Sequence, residues 1–274
     1  MRYWLLLLVL VSLNSYGQIS SETGAPLMGE DIPMPKWQSL HGSFLEPNRF
    51  GISYDHTPER LILEAGYGTD FIGVDMTRIG AEILVWSGLK TLDGFRFPVE
   101  TADYFFGIYS VSPVWVGMLR NFIQLRTRVS HISSHYVDGT TDSVIGGSSS
   151  KFSREFASLE AVFINNRTRT ITASAGIKYV FHQVNKFEPS LQFPLGIDYR
   201  FLRIGKYHDF ILYASAAAGP SLPVYAAGLV YQLQTFKDKS FTVFAEYHSG
   251  HSRYGVDGDK NEAGYQVGIR FSPK

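Results

Sequence analysis

The chain contains no cysteine. That excludes a disulfide framework, a thiolate-ligated metal and a cysteine nucleophile. Charge is scarce as well. Only 18% of the residues are charged, below the roughly 25% of ordinary soluble domains. The 25 basic and 25 acidic side chains cancel, so there is no net basic character of the kind a nucleic-acid partner requires. After the first seventeen residues no apolar run is long enough for a membrane-crossing helix, which needs about 20 residues. No convincing 3.6-residue periodicity appears either. Aromatic residues, in contrast, make up 15% of the chain. Its 274 residues are enough for one large β domain or two ordinary ones.

The N-terminus reads as an address. Arg2 supplies a positive start, Trp4 to Leu13 is an almost unbroken apolar run, and Ser15 and Gly17 are small. This pattern predicts a secretory signal peptide over residues 1–17, hence an exported protein. Residues 18–45, with Pro26, Pro33 and Pro35, read as an irregular periplasmic lead. Residues 46–274 read as a β domain.

Within that domain segment after segment alternates with period two. From 170 to 182, Ile171, Ala173, Ala175, Ile177, Tyr179 and Phe181 share one face, and Thr172, Ser174, Gly176, Lys178 and His182 the other. Leu191, Phe193, Leu195, Ile197, Tyr199 and Phe201 likewise oppose Gln192, Gly196, Asp198 and Arg200. Strand side chains point alternately to opposite faces, so this is strand periodicity. The apolar rows are long, aromatics gather at strand ends, and the opposite rows mix small with charged residues. These features favour an all-β antiparallel transmembrane barrel over a soluble sandwich. Strands are expected near 48–55, 60–68, 79–88, 101–111, 118–134, 154–165, 169–182, 190–201, 208–218, 223–236, 240–250 and 262–271. That makes about twelve, within a range of ten to twelve. Long gaps at Leu89–Glu100, Tyr136–Ser153 and His251–Asn261 mark the extracellular side, with both termini in the periplasm. Phe201–Tyr207 is longer than a periplasmic turn should be.

Asp103-Tyr104-Phe105-Phe106-Gly107-Ile108, followed by Arg126-Thr127-Arg128-Val129-Ser130-His131-Ile132-Ser133-Ser134-His135, resembles an uncharacterised family of Gram-negative outer-membrane proteins, a domain of unknown function. Glu246-Tyr247-His248-Ser249-Gly250-His251-Ser252-Arg253-Tyr254-Gly255 resembles its second motif. The resemblance implies an outer-membrane β protein and supplies no catalytic residues. Outer-membrane lipids and lipopolysaccharide are the expected partners. No protein partner and no cofactor is read from the sequence.

Several constellations carry candidate chemistry. His131 and Ser133 share the outward parity of Leu125 and Val129, and Glu155 shares that of Ala157 and Leu159. His-x-Ser on the outer wall resembles outer-membrane lipid hydrolases, where His activates Ser for attack on an ester and a neighbouring acid or amide orients His. Those enzymes continue Ser-Asn-Gly, whereas this chain reads Ser133-Ser134-His135. Glu82, Arg126, Arg128, Glu160 and Glu246 fall on inward parity and are expected to pair across a narrow polar interior, with anion transport as the alternative. His131, His135, His248 and His251 form a weak candidate metal set. Asp257-Gly258-Asp259 opens like a calcium loop, but Glu262 stands where glycine is required and Gly268 where the bidentate acid is. Gly66-x-Gly68 is not followed by a helix pattern, so it is not a nucleotide loop.

Overall fold

A computed structural model describes residues 40–41, 48–57, 59–74, 76–90, 97–116, 121–137, 152–164, 170–184, 190–218, 224–234, 239–251 and 261–272. The expected signal peptide, the lead up to residue 39, most of the 136–153 connection and the 252–260 loop lie outside the described residues. All described residues belong to one compact unit, residues 37–274.

The alternating segments form β1 (Phe50–Asp55), β2 (Arg60–Val74), β3 (Thr77–Lys90), β4 (Val99–Val116), β5 (Asn121–Tyr136), β6 (Phe152–Ile164), β7 (Ile171–Val184), β8 (Leu191–Ile204), β9 (His208–Ala218), β10 (Val224–Gln234), β11 (Ser240–His251) and β12 (Asn261–Ser272). Each strand pairs antiparallel with the next. β1 returns to β12, with Phe50 opposite Phe271 and Tyr54 opposite Val267. Closure leaves no strand without a neighbour on either side, so the ladders close within the ring apart from local interruptions at register shifts. The result is a closed twelve-stranded antiparallel barrel. The strand ends leading into the long connections (91–98, 137–151, 252–260) lie at one end, and those leading into short ones (75–76, 117–120, 205–207) at the other.

The apolar rows face outward. Leu191, Phe193, Leu195, Ile197 and Tyr199 of β8 are exposed, while Gln192 and Asp198 between them are buried. Leu212, Tyr225, Leu229, Val243, Val267 and Ile269 continue this surface around the ring. Exposure of apolar side chains on this scale stabilises a barrel only where acyl chains replace water.

Irregularities adjust individual strands. β8 carries a register shift between Arg200 and Leu202, so the strand runs on to Ile204 and the turn to β9 is short. This removes the over-long gap expected at Phe201–Tyr207. A second shift, on β7, sets Glu155 opposite His182 but Phe156 opposite Val180, leaving Phe181 as the extra residue.

The interior is not polar throughout. Ile62, Leu84, Trp86, Phe105, Ile132, Phe152, Phe156 and Val180 pack together as an apolar storey toward the long-loop end. Below it lie ion pairs. Inward positions are filled by whichever side chain the pleat directs there, and the large Phe105, Phe152 and Phe156 fill the lumen as effectively as charge pairs do. At the short-loop end Leu40, from the lead, is buried against Val162 and Ile164. His41 meets Asp198 through its backbone N–H (3.1 Å) and Nδ1 (2.8 Å). The end of the expected lead therefore packs inside the ring.

Glycine admits aromatic rings flat against the wall. At Gly228 of β10 an added Cβ would lie 2.6 Å from the Tyr213 ring and 2.5 Å from the Ala245 carbonyl oxygen. The backbone oxygen cannot move aside cheaply. Gly228→Ala is expected to destabilise the barrel by about 1–3 kcal/mol through overpacking. The check is the urea midpoint of the detergent-folded protein, which should fall with an unchanged denaturant slope.

Candidate functional site on the outer wall

On β5 the outward row carries Ile123, Leu125, Val129, His131, Ser133 and His135, and the inward row Gln124, Arg126, Arg128, Ser130, Ile132 and Ser134. His131 and Ser133 thus stand two residues apart on one face, near the end that leads into the 137–151 connection. Antiparallel register sets Glu155 of β6 directly opposite His131, and Ser153 opposite Ser133. His131 Nδ1 lies 2.9 Å from Glu155 Oε1. On the other side β4 sets Phe106 opposite His131, and the two rings stack at 5.2 Å between centroids with an 8° interplanar angle. A ring stacked on one face and anchored at Nδ1 has a fixed orientation. With Nδ1–H donating to the carboxylate, the lone pair sits on Nε2 and is available as a proton acceptor.

Glu155 has a second imidazole partner. His182 Nδ1 contacts its other oxygen, Oε2. Strict alternation along β7 assigns His182 to the interior with Lys178. The bulge at Phe181 reverses that parity, and His182 stands on the outer wall. The structure corrects the sequence expectation here. The available signal is a phase slip: Tyr179 and Phe181 are exposed on odd positions, Val184 on an even one.

Of the candidate metal histidines, His131, His135 and His248 do not converge, and the His251 side chain lies outside the described residues. His131 and His135 are on the outer wall of β5. His248 of β11 is buried inside, with Nε2 3.7 Å from Asp55 Oδ2. β11 and β5 lie on opposite sides of the ring. Matching height on two strands does not bring their side chains together, because the barrel wall separates the faces and the lumen separates the strands. His135 instead lies near Tyr104 on the same outer wall, 6.2 Å between centroids.

Inside the lumen, Glu82 of β3 receives both β5 cations. Arg126 Nη2 contacts Oε2, and Arg128 Nε lies 2.5 Å from Oε1. The guanidinium groups lie over the Tyr109 and Phe105 rings, each at 5.4 Å. Glu160 stands opposite Arg126 in register, but the guanidinium turns to Glu82. Glu246 accepts a 2.5 Å hydrogen bond from Tyr213 Oη. Glu64, Arg200 and Arg270 also fall on inward parity in the sequence, but their pairings and the partners Arg49, Arg203 and Asp209 are not read from it. Glu64 receives Arg49 and Arg270, the latter at 3.1 Å. Asp209 receives Arg203 in a bidentate pair (2.7 and 2.8 Å), with Arg200 Nε 3.2 Å away.

Comparison with solved structures places the architecture. The Salmonella typhi outer membrane phospholipase dimer with bound calcium is 13% identical over 86% of this chain and 95% of that chain, with a TM-score of 0.56. The Escherichia coli outer membrane phospholipase A is 14% identical over 84% and 97%, with a TM-score of 0.57. The fold is that of an outer-membrane barrel. The KdgM porin is a looser likeness, 12% identical over 82% of this chain and 98% of that chain, with a TM-score of 0.45. No family model matches the chain, and no curated protein matches it. The resemblance to the family of unknown function thus stands on the sequence motifs alone, Asp103–Ile108 with Arg126–His135 and the second motif from Glu246.

Proposed function

We propose that the protein resides in the outer membrane of a Gram-negative envelope, exported by residues 1–17, and acts there as a closed barrel with a structural or interaction role. Its partners are membrane lipids and lipopolysaccharide. One observation carries this reading: the lumen is braced by buried ion pairs, Glu82 with Arg126 and Arg128, and Glu64 with Arg49 and Arg270, beneath an apolar storey. A hydrated conduit would leave these charges free to meet solutes. Here they meet each other, and parting them costs far more than a passing ion returns. Purified protein in planar bilayers is expected to give no stable single-channel steps. Reproducible steps would overturn the closed-barrel reading in favour of a small-solute channel.

A second reading is favoured by the anchored imidazole. Glu155 fixes His131 Nδ1 at 2.9 Å, and Ser133 follows on the same wall at the membrane rim. This arrangement suits hydrolysis of a lipid ester. His131 Nε2 takes the Ser133 proton as Oγ attacks the carbonyl carbon. Collapse of the tetrahedral adduct expels the lipid alkoxide, which takes that proton from His131 and leaves an acyl-serine for water to cleave. The likeness to outer-membrane phospholipases is one of fold and supplies no residue roles. Release of labelled fatty acid from phospholipid or lipopolysaccharide by wild type, and not by Ser133→Ala, is the expected result. Equal traces would remove this reading.

A further inference from the structure

The bulge on β7 has a specific consequence for the outer wall. Without it, Glu155 would face Phe181, and His182 would point inward in the row of Lys178 and Val180. An inserted residue interrupts the hydrogen-bond ladder locally, and bulges recur where a side chain has to be re-aimed. Here the re-aimed side chain lands on Glu155. The carboxylate is then held at both oxygens, Oε1 by His131 and Oε2 by His182. Its two imidazole partners sit on the strands to either side, β5 and β7.

A glutamate at a membrane rim has three side-chain torsions and competes for water. Left to itself, its carboxylate would orient His131 only part of the time, because each fixed rotamer costs entropy. A second donor removes that freedom. We infer that His182 is a positioning residue: brought outward by the β7 bulge, it holds the second oxygen of Glu155 and thereby keeps the first on His131. This rests on the ester-hydrolysis reading of Ser133 and His131. The site then spans four residues on three adjacent strands: His131 on β5, Glu155 on β6 and His182 on β7 are linked, Ser133 stands two residues along β5 from His131, and only Ser133 and His131 meet the substrate.

The test uses the full-length barrel in detergent micelles containing phosphatidylethanolamine with a labelled acyl chain and, separately, lipopolysaccharide. Folding of each variant is verified by the gel-mobility difference between boiled and unboiled samples. His182→Phe keeps the ring's bulk and removes the donor. It is expected to lower kcat about 10–100-fold, the cost of a misplaced catalytic group, with KM unchanged. His182→Asn, whose amide N–H donates from nearly the same place as Nδ1, should restore most of that rate. In a Glu155→Ala background His182→Phe should cause no further loss, because it acts only through the carboxylate. Wild-type kcat in His182→Phe with Ser133→Ala at background overturns the inference and leaves the hydrolase reading standing. A full additional loss in the Glu155→Ala background also overturns it. Equal release by wild type and Ser133→Ala, on both lipids, overturns the hydrolase reading and the inference together.

Discussion

Glu82→Leu is expected to cost the folded barrel about 3–5 kcal/mol, the usual penalty for removing one partner of a buried ion pair. Glu82 is only 3% exposed, and Arg126 and Arg128 are 4% and 7% exposed. Both guanidinium groups converge on its carboxylate. Its loss leaves two like charges side by side on β5, with much of their compensation removed and little water to solvate them. Urea unfolding followed by tryptophan fluorescence, with gel mobility as a second probe, measures the loss. The triple variant Glu82→Leu, Arg126→Leu, Arg128→Met supplies the control. With all three charges gone and comparable volume retained, stability should return to within about 1–2 kcal/mol of wild type, since apolar replacement of a whole buried network is often neutral. A triple variant as unstable as the single one would mean that the penalty comes from lost volume or shape and not from stranded charge.

On the ester-hydrolysis reading, Ser133→Ala is expected to reduce lipid-ester cleavage to the protein-free background. Loss of a serine nucleophile removes the covalent route entirely, an effect on the order of 10³-fold or more in kcat. His131→Ala should cause a comparable loss, because a serine hydroxyl without a proton acceptor is a poor nucleophile at neutral pH. The double variant should be no worse than either single one, since the two residues act as a unit. That non-additivity is the sharper readout, since independent lipid-binding roles for Ser133 and His131 would make the losses multiply. Neither substitution touches the lumen, so unfolding midpoints should stay near wild type. His131→Ala is the more exposed to a packing effect, because its ring stacks on Phe106.

Much of the architecture is legible in the chain. The twelve expected segments coincide with the twelve strands, with differences mainly at their ends, where fraying and bulges shift boundaries. Period-two alternation carries the faces of β11 and β12 throughout, and that of β8 as far as its register shift after Arg200. The outward placement of His131, Ser133 and Glu155 follows from parity and one hairpin. Parity fails at His182, because a bulge adds one residue and reverses every side chain beyond it. It also fails to describe the interior. The expected polar lumen holds an apolar storey around Phe105 and Phe156, because alternation specifies a direction and not a chemistry.

The sequence by itself determines what is local: strand identity from a two-residue period, the lipid-facing rows from their unbroken apolar character, and the long-loop end from the spacing between strands. Tertiary structure decides what depends on ring closure. Arg270 reaches Glu64, and Gln266 reaches Ser53, only because β12 lies beside β1 and β1 beside β2. Arg126 chooses Glu82, two strands away over β4, instead of the facing Glu160, and His41 finds Asp198 from the lead, through proximity inside the ring. No periodic pattern encodes those choices. They follow from the stagger and radius at which twelve strands close, and a buried charge then pairs with whichever partner that geometry brings within reach.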